Sequence, residues 1–213
     1  MSPTLTATLS RMLGEKLPNL LRVYPNPFVT QVCHGLGRYV GTTWPAAGDA
    51  FQTFLANGVD EAVGGAVKLA RYDGSVAGRP TAGLVVDPAD RLGPFAGVAV
   101  PGGRVTFVPG LTANPNEGPF GFAVLVPTAD GGLGGREGEA YSAKTGGALV
   151  IVCVSRDSLA AVRRGAGPLR DLSPDVVVFD ETFTNREVPC AAFTARKELY
   201  DHWNKPGKGT FHS

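Results

Sequence analysis

The stretch PDVVVFDETFTNREVPCAAFTARKELYD, residues 174–201, carries the pattern that decides the fold. Its continuous apolar run at 175–179 predicts a strand that is covered on both faces, as in parallel sheets. A second short strand is predicted at 191–194, and the residues from 195 to 203 predict a helix. Asp180 and Glu181 follow the first strand at its carboxyl end, where α/β sheets place ligand sites.

The segments before this stretch alternate between strand and helix patterns. Apolar runs bounded by glycine, proline and aspartate predict further strands at 51–55, 82–86, 105–108, 120–126 and 148–154. Apolar residues at helical spacing predict helices at 5–22, 27–40, 60–71, 138–145 and 155–164. This order indicates a three-layer α/β fold, with a mostly parallel sheet and one antiparallel strand.

Composition and charge narrow the classes of function. Hydrophobic residues make up 43% of the 213 residues, enough for a buried core in one large domain. The net charge is +1 and the charged residues are well mixed, so neither nucleic acid nor a membrane surface is an expected partner. No apolar run approaches the ~18–20 residues of a membrane span. Three widely spaced cysteines predict reduced thiols, and we expect a cytoplasmic protein.

Three segments resemble the large domain of the class III, fold-type I aminotransferases, which use pyridoxal phosphate. The string FLANGVDEAVGGAVKLAR (54–71) is similar to the family's N-S-G-T-E-A-V-E-A-A-L-K-L-A-R, and GGALVIVCVSR (146–156) is similar to G-A-L-L-I-V-D-E-V-Q. Residues 174–201 resemble P-D-I-V-T-L-A-K-G-L-G-G-G-V-P-L-G-A-V-L-A-R-K-E-I-Y-D. The resemblance implies an aminotransferase-like large domain at 25–213, without the family's C-terminal small domain, and residues 1–24 before it are predicted to be an N-terminal helical segment.

The resemblance also locates the positions that hold the cofactor in such enzymes. The family's Schiff-base lysine falls on Glu181, and a carboxylate cannot form an imine. The aspartate that pairs with the pyridinium nitrogen falls on Cys153, where a neutral thiol could not keep that nitrogen protonated. The string GTFHS (209–213) resembles the start of a family loop but stops before the threonine that contacts the phosphate.

The phosphate of such enzymes lies at a helix N-terminus, which here corresponds to Gly58, Val59 and Asp60. We expect the Asp60 carboxylate to cap that helix and to take the place of the phosphate. The aromatic-His-Gly segment that stacks on the cofactor ring aligns with residues 90–92, which begin at Asp90 and include neither an aromatic residue nor a histidine. The resemblance therefore implies that no cofactor is bound.

Three functional hypotheses stay open on the sequence alone. The first is a pseudo-aminotransferase that acts through a repurposed pocket or a protein interface. The second is a cofactor-independent enzyme that uses the old cleft, with Asp60, Cys153, Asp180 and Glu181 as its candidate polar groups. The third is an authentic transaminase whose lysine lies elsewhere. As neighbours on a strand, Asp180 and Glu181 are expected to point to opposite sides, which argues against a paired acid/base role.

Partners and ligands follow from the same resemblance. Fold-type I enzymes build their sites across a two-fold interface, so we expect a homodimer, or a related partner chain in its place. A small-molecule ligand in the cleft is compatible with either. No His, Asp and Glu spacing resembles a metal site, and we expect His34, His202 and His212 to lie at the surface or at an interface.

Overall fold

The computed structural model describes residues 3–15, 27–47, 50–92, 111–165 and 168–202. Within them the chain forms one sheet of seven strands, covered by helices on both faces. The strands are β1 (Phe51–Ala56), β2 (Gly83–Val86), β3 (Leu111–Thr112), β4 (Phe122–Leu125), β5 (Leu149–Val154), β6 (Val176–Phe179) and β7 (Ala191–Arg196). The α-helices are α1 (Pro3–Gly14), α2 (Pro27–Thr43), α3 (Val59–Ala77), α4 (Glu137–Thr145), α5 (Arg156–Arg163) and α6 (Lys197–Tyr200).

The sheet has the order β1-β7-β6-β5-β4-β2-β3. The strands from β3 through β6 pair in parallel, whereas β7 is antiparallel to both β6 and β1. β1 therefore runs in the same direction as the parallel strands, and β7 is the one reversed strand of the sheet. The predicted α/β architecture with one antiparallel strand is confirmed.

The core lies in two layers, one on each face of the sheet. One layer packs the apolar side of α3 and Leu199 of α6 against β4 to β7, with Phe122 and Phe193 among its largest side chains. The other layer packs residues of α2, α4 and α5 against the opposite face, around the buried Trp44 and Phe179. The central strands are buried at every position because helices cover both faces, as their continuous apolar runs predicted.

Several predicted boundaries need correction. The helix expected at 195–203 is wrong at its start, since Ala195 and Arg196 stay in β7, opposite Gln52 and Phe51 of β1. Pairing with β1 on one side and β6 on the other extends β7 by two residues, and the helix shrinks to α6. Helix α3 is longer than predicted and ends at Gly78, whose φ of 69° lies in the left-handed region that favours glycine.

Other predictions fall partly or wholly outside the described residues. The predicted strand at 105–108 and the predicted domain boundary at 24/25 lie there, as does most of the second half of the helix predicted at 5–22. The short strand β3 was not predicted, because two residues carry no periodicity. Among the described helices, none has the length and apolar character needed to cross a membrane.

Candidate functional site

A small cavity of about 170 Å³ opens at the carboxyl ends of β5 and β6. The start of α3 and the loop after β2 close its other sides. Its lining combines apolar positions with four charged side chains: Val59, Arg91, Leu92, Cys153, Val154, Val178, Asp180, Glu181 and Arg186. The structure thus brings together Val59, Cys153, Asp180 and Glu181, which the sequence had singled out separately.

Asp180 lies where β6 ends and a 3₁₀ turn, Glu181–Thr184, begins. One oxygen of its buried carboxylate accepts hydrogen bonds from the backbone N–H (3.0 Å) and the hydroxyl of Thr182, which fixes the turn. The other oxygen accepts from the guanidinium of Arg91 at 2.5 Å. The expectation that Asp180 and Glu181 point to opposite sides is wrong, because the strand stops at Phe179 and the turn brings both side chains to the same cavity.

The loop after β2 positions Arg91. The backbone N–H of Leu92 donates to the Asp87 carboxylate at 2.7 Å, and the Arg91 guanidinium also donates to the carbonyl of Pro127 at 3.2 Å. Asp90 itself is exposed in a left-handed conformation and does not line the cavity. Sequence analysis singled out residues 90–92 only because they include neither an aromatic residue nor a histidine. It did not predict that Arg91 pairs with Asp180.

Glu181 reaches the N-terminus of α3. Its Oε1 accepts a hydrogen bond from the backbone N–H of Val59 at 2.7 Å. Gly58 avoids a tight contact here, since a Cβ at that position would lie 3.1 Å from the same oxygen. On the outer side of the turn, Glu61 accepts from the backbone N–H of Asn57 at 2.9 Å. Glu181 therefore places its charge at the start of the helix.

The prediction that Asp60 caps α3 is wrong. The helix begins at Val59 with Gly58 as its N-cap residue, so Asp60 already lies within the first turn. Asp60 is exposed, and among the described residues no backbone N–H donates to its carboxylate. The acceptor at this helix end comes from Glu181, 122 residues away in the chain, which local sequence patterns do not reveal.

Cys153 forms part of the apolar floor of the cavity. The side chain is buried within β5, and this burial raises the pKa of its thiol well above the ordinary value. The nearby Arg91 lowers that pKa, but by less than burial raises it, and the carboxylates of Asp87 and Asp180 act in the same direction as burial. A neutral, buried thiol is a poor nucleophile, so Cys153 serves as a small apolar side chain.

The remaining charged lining residue that the sequence did not predict is Arg186. It follows Asn185 at the end of the turn, and both residues have positive φ values, 52° for Asn185 and 58° for Arg186. The Arg186 backbone N–H donates to the carbonyl of Glu181 at 3.0 Å and so closes the turn beneath the cavity. Asn185 is a residue that tolerates the left-handed conformation, but no sequence signal marks the arginine after it as left-handed.

The described histidines lie outside this site. Of the histidines in the described part of the chain, His34 lies on α2, and Nε2 of His202 is 2.9 Å from the carboxylate of Asp73. His212 lies outside the described residues. Within the described ranges, no group of three or more His, Cys, Asp or Glu side chains has an arrangement that could hold a metal ion.

Several solved structures with a similar fold are aminotransferases. The (S)-enantioselective omega-transaminase of Thermomicrobium roseum matches with a TM-score of 0.68 and 17% identity, over 100% of this chain and 56% of that chain. The ornithine aminotransferase of Toxoplasma gondii matches with a TM-score of 0.66 and 17% identity, over 98% of this chain and 54% of that chain. The N-acetylornithine aminotransferase of Stenotrophomonas maltophilia matches with a TM-score of 0.63 and 18% identity, over 94% of this chain and 54% of that chain.

These comparisons confirm the predicted resemblance at the level of the fold, which is that of the class III, fold-type I aminotransferases. The chain spans little more than half the length of the structures it matches. No protein-family model matches the sequence, and no curated protein sequence matches it either.

Proposed function

We propose that this protein is a pseudo-aminotransferase, which keeps the fold but does not use pyridoxal phosphate. One observation carries the proposal: the Glu181 carboxylate accepts a hydrogen bond from the first backbone N–H of α3. In the resemblance, this helix start corresponds to the phosphate site and Glu181 to the Schiff-base lysine. A single substitution thus removes the amine and supplies the chain's own anion at the phosphate position.

The residues at the cavity do not fit the cofactor. A phosphate at the start of α3 would meet the Glu181 charge at contact distance, with a repulsion of ~1–4 kcal/mol per pair of unit charges. Among the described residues no lysine lines the cavity, so none of them offers an amine to the cofactor there. Cys153, in the position of the ring-nitrogen aspartate, is held neutral by burial, which raises the pKa of its thiol. No reaction step that requires the cofactor is therefore assigned to this site.

The protein acts, in this proposal, through the remodelled cavity or through a protein interface. The cavity's volume corresponds to about five or six water molecules, which suits a small ligand. Its charges come as two arginines and two carboxylates, so a ligand with both donor and acceptor groups is favoured. The expected protein partner is a second copy or a related chain. The described cysteines are all free, in keeping with a reducing, cytoplasmic location.

A second candidate function is a cofactor-independent enzyme. It is favoured by the two carboxylates, Asp180 and Glu181, that line one cavity beside Arg91. Against it, Asp180 is engaged by Arg91 and Thr182, and Glu181 by Val59. Turnover of any member of a small-molecule panel, abolished in Glu181→Gln, would favour the enzyme over the pseudoenzyme.

Cofactor capture is the decisive test of the main proposal. Purified protein is mixed with pyridoxal phosphate, reduced with borohydride and measured by intact mass, with Glu181→Lys and Glu181→Gln treated alongside. We expect the unmodified protein to stay colourless and gain no cofactor mass. Glu181→Lys restores the amine, whereas Glu181→Gln removes only the charge and serves as its matched control. Cofactor trapped on a lysine of the unmodified protein at one equivalent would overturn the proposal.

A further inference from the structure

A second cavity, of about 230 Å³, lies beside the first at the carboxyl end of the sheet. It forms where the chain passes from β5 into α5 and where the turn after β6 ends. Its lining residues are all polar or charged: Arg156, Asp157, Thr182, Asn185 and Arg186. Arg186 lines both cavities, so the two share one wall. Ligands of α/β sheets bind outside the carboxyl ends of the strands, which is where this cavity lies.

Hydrogen bonds hold the two walls of the second cavity together. The backbone N–H of Arg156 donates to the hydroxyl of Thr182 at 2.8 Å, which ties the start of α5 to the turn after β6. The Arg156 guanidinium donates to Oδ1 of Asn185 at 2.5 Å, which holds this cation against the same turn. Because the amide oxygen of Asn185 is used in this bond, its NH2 group is left as a donor.

Arg186 is a cation without a counterion in the described part of the chain. Its backbone N–H closes the turn, but no described acceptor or aromatic ring engages its guanidinium. The Asp157 carboxylate, on the α5 side, likewise has no hydrogen bond or ion pair there. The left-handed conformation of Asn185 and Arg186 is costly for residues other than glycine, and such conformations cluster at ligand sites. The cavity thus offers two guanidiniums, an amide donor and one carboxylate acceptor.

We infer that the second cavity binds the phosphate group of a small phosphorylated molecule. Guanidinium groups bind phosphate oxygens through paired, charge-assisted hydrogen bonds, and two of them line this cavity. The carboxylate of Asp157 favours phosphate over other anions. It can only accept a hydrogen bond, and a phosphate monoester can keep and donate a proton beside it, since the second pKa of such esters is about 6. Sulfate has no proton to donate at neutral pH.

This site is separate from the position of the cofactor phosphate in the resemblance. That position is the start of α3, where the Glu181 carboxylate already accepts the first backbone N–H. The site proposed here lies at the start of α5, and it does not rest on the loss of the cofactor. A chain that captured pyridoxal phosphate on a lysine could still bind phosphate here, and a chain that does not could lack this site. The two proposals therefore fail separately.

Calorimetric titration with inorganic phosphate tests the site, with sulfate and acetate titrated at equal ionic strength. We expect phosphate to bind at a single site, and sulfate and acetate to bind more weakly. Arg186→Gln removes a charged donor and should weaken phosphate binding at least about tenfold. Arg164→Gln makes the same change at the exposed far end of α5 and should leave the affinity unchanged. Asp157→Asn should narrow the difference between phosphate and sulfate.

Arg156→Gln provides a second variant if Arg186→Gln fails to fold, and it should weaken phosphate binding in the same way. Absence of phosphate binding at millimolar concentration overturns the inference. So does phosphate binding that both arginine variants leave intact, because the anion would then lie elsewhere on the surface. Sulfate binding as tight as phosphate binding in the unmodified protein also overturns it, since the carboxylate would then play no part in selection.

Discussion

The two ends of β6 each carry a buried aspartate paired with an arginine, yet the two pairs differ in what they hold. Asp175 at the amino end and Asp180 at the carboxyl end are both 8% exposed. Asp175 accepts from the backbone N–H of Val150 at 2.8 Å and lies 3.4 Å from the guanidinium of Arg196. Its bonds therefore tie β6 to β5 and β7 and help fix the register of the sheet.

Asp180 makes no such tie to a neighbouring strand through its side chain. Its carboxylate binds Arg91 from the loop after β2 and Thr182 from its own turn. The amino end is thus built into the framework, while the carboxyl end is a set of side chains around a cavity. Residues of the second kind can change with a smaller loss of stability than residues that tie strands together.

The largest effect is expected at the framework end. Asp175→Ala leaves the buried N–H of Val150 without its acceptor and the Arg196 guanidinium without its partner, which should lower the free energy of unfolding by about 3 kcal/mol. Asp175→Asn keeps one oxygen for the Val150 N–H and should lose about half as much. Urea denaturation measures both variants. A loss below about 1 kcal/mol for Asp175→Ala would remove the distinction between the two ends.

A smaller loss is expected at the cavity end. Asp180→Ala should cost about 1–2 kcal/mol, because both partners of its carboxylate, Arg91 and Thr182, are partly exposed and can turn to solvent, whereas Asp175 serves a fully buried strand N–H. The same denaturation series gives the comparison with Asp175→Ala at equal burial. If Asp180→Ala proves the more costly of the two, the carboxyl end belongs to the framework as well.

The smallest effects are expected at the start of α3, and they separate two neighbouring anions. Glu181→Ala removes the acceptor for the Val59 N–H and should cost about 1 kcal/mol, the usual loss when a helix end loses its cap. Asp60→Ala removes only a charge near the helix dipole and should cost about 0.3–0.5 kcal/mol. Thermal unfolding of both variants measures the two losses of stability, which can then be compared. A larger loss for Asp60→Ala would return the capping role to Asp60.

Most strands and helices could be predicted from the sequence because they have local patterns of apolar residues. The buried strands β4, β5 and β6 are continuous apolar runs bounded by turn residues, and α2 and α3 show helical spacing. The start of α6 was missed because Ala195 and Arg196 follow their strand neighbours, and a helix propensity cannot report a distant partner strand.

Less of the site could be predicted, for the same reason. Position at the strand end identified Asp180 and Glu181, the family resemblance identified Cys153, and the structure brings the three to one cavity. The contacts that give them their roles span long distances in the chain: 89 residues for Arg91 with Asp180, and 122 for Val59 with Glu181. Asp60 was predicted to cap α3 because it is the acidic residue nearest in sequence to the start of that helix. In the structure the acceptor at this helix end is instead the Glu181 carboxylate.

The position of β1 in the sheet also has a consequence for the order of folding. Thr53 of β1 bonds to Thr194 of β7 across 141 residues of chain, and β7 is its only strand partner among the described residues. At a synthesis rate of ~5–20 residues per second, β1 leaves the ribosome roughly 7–30 s before the strand it pairs with. Such distant pairings close late and slow the search for the native state. During that interval an uncharged, apolar strand is exposed, and chaperone binding there would shield the nascent chain from aggregation.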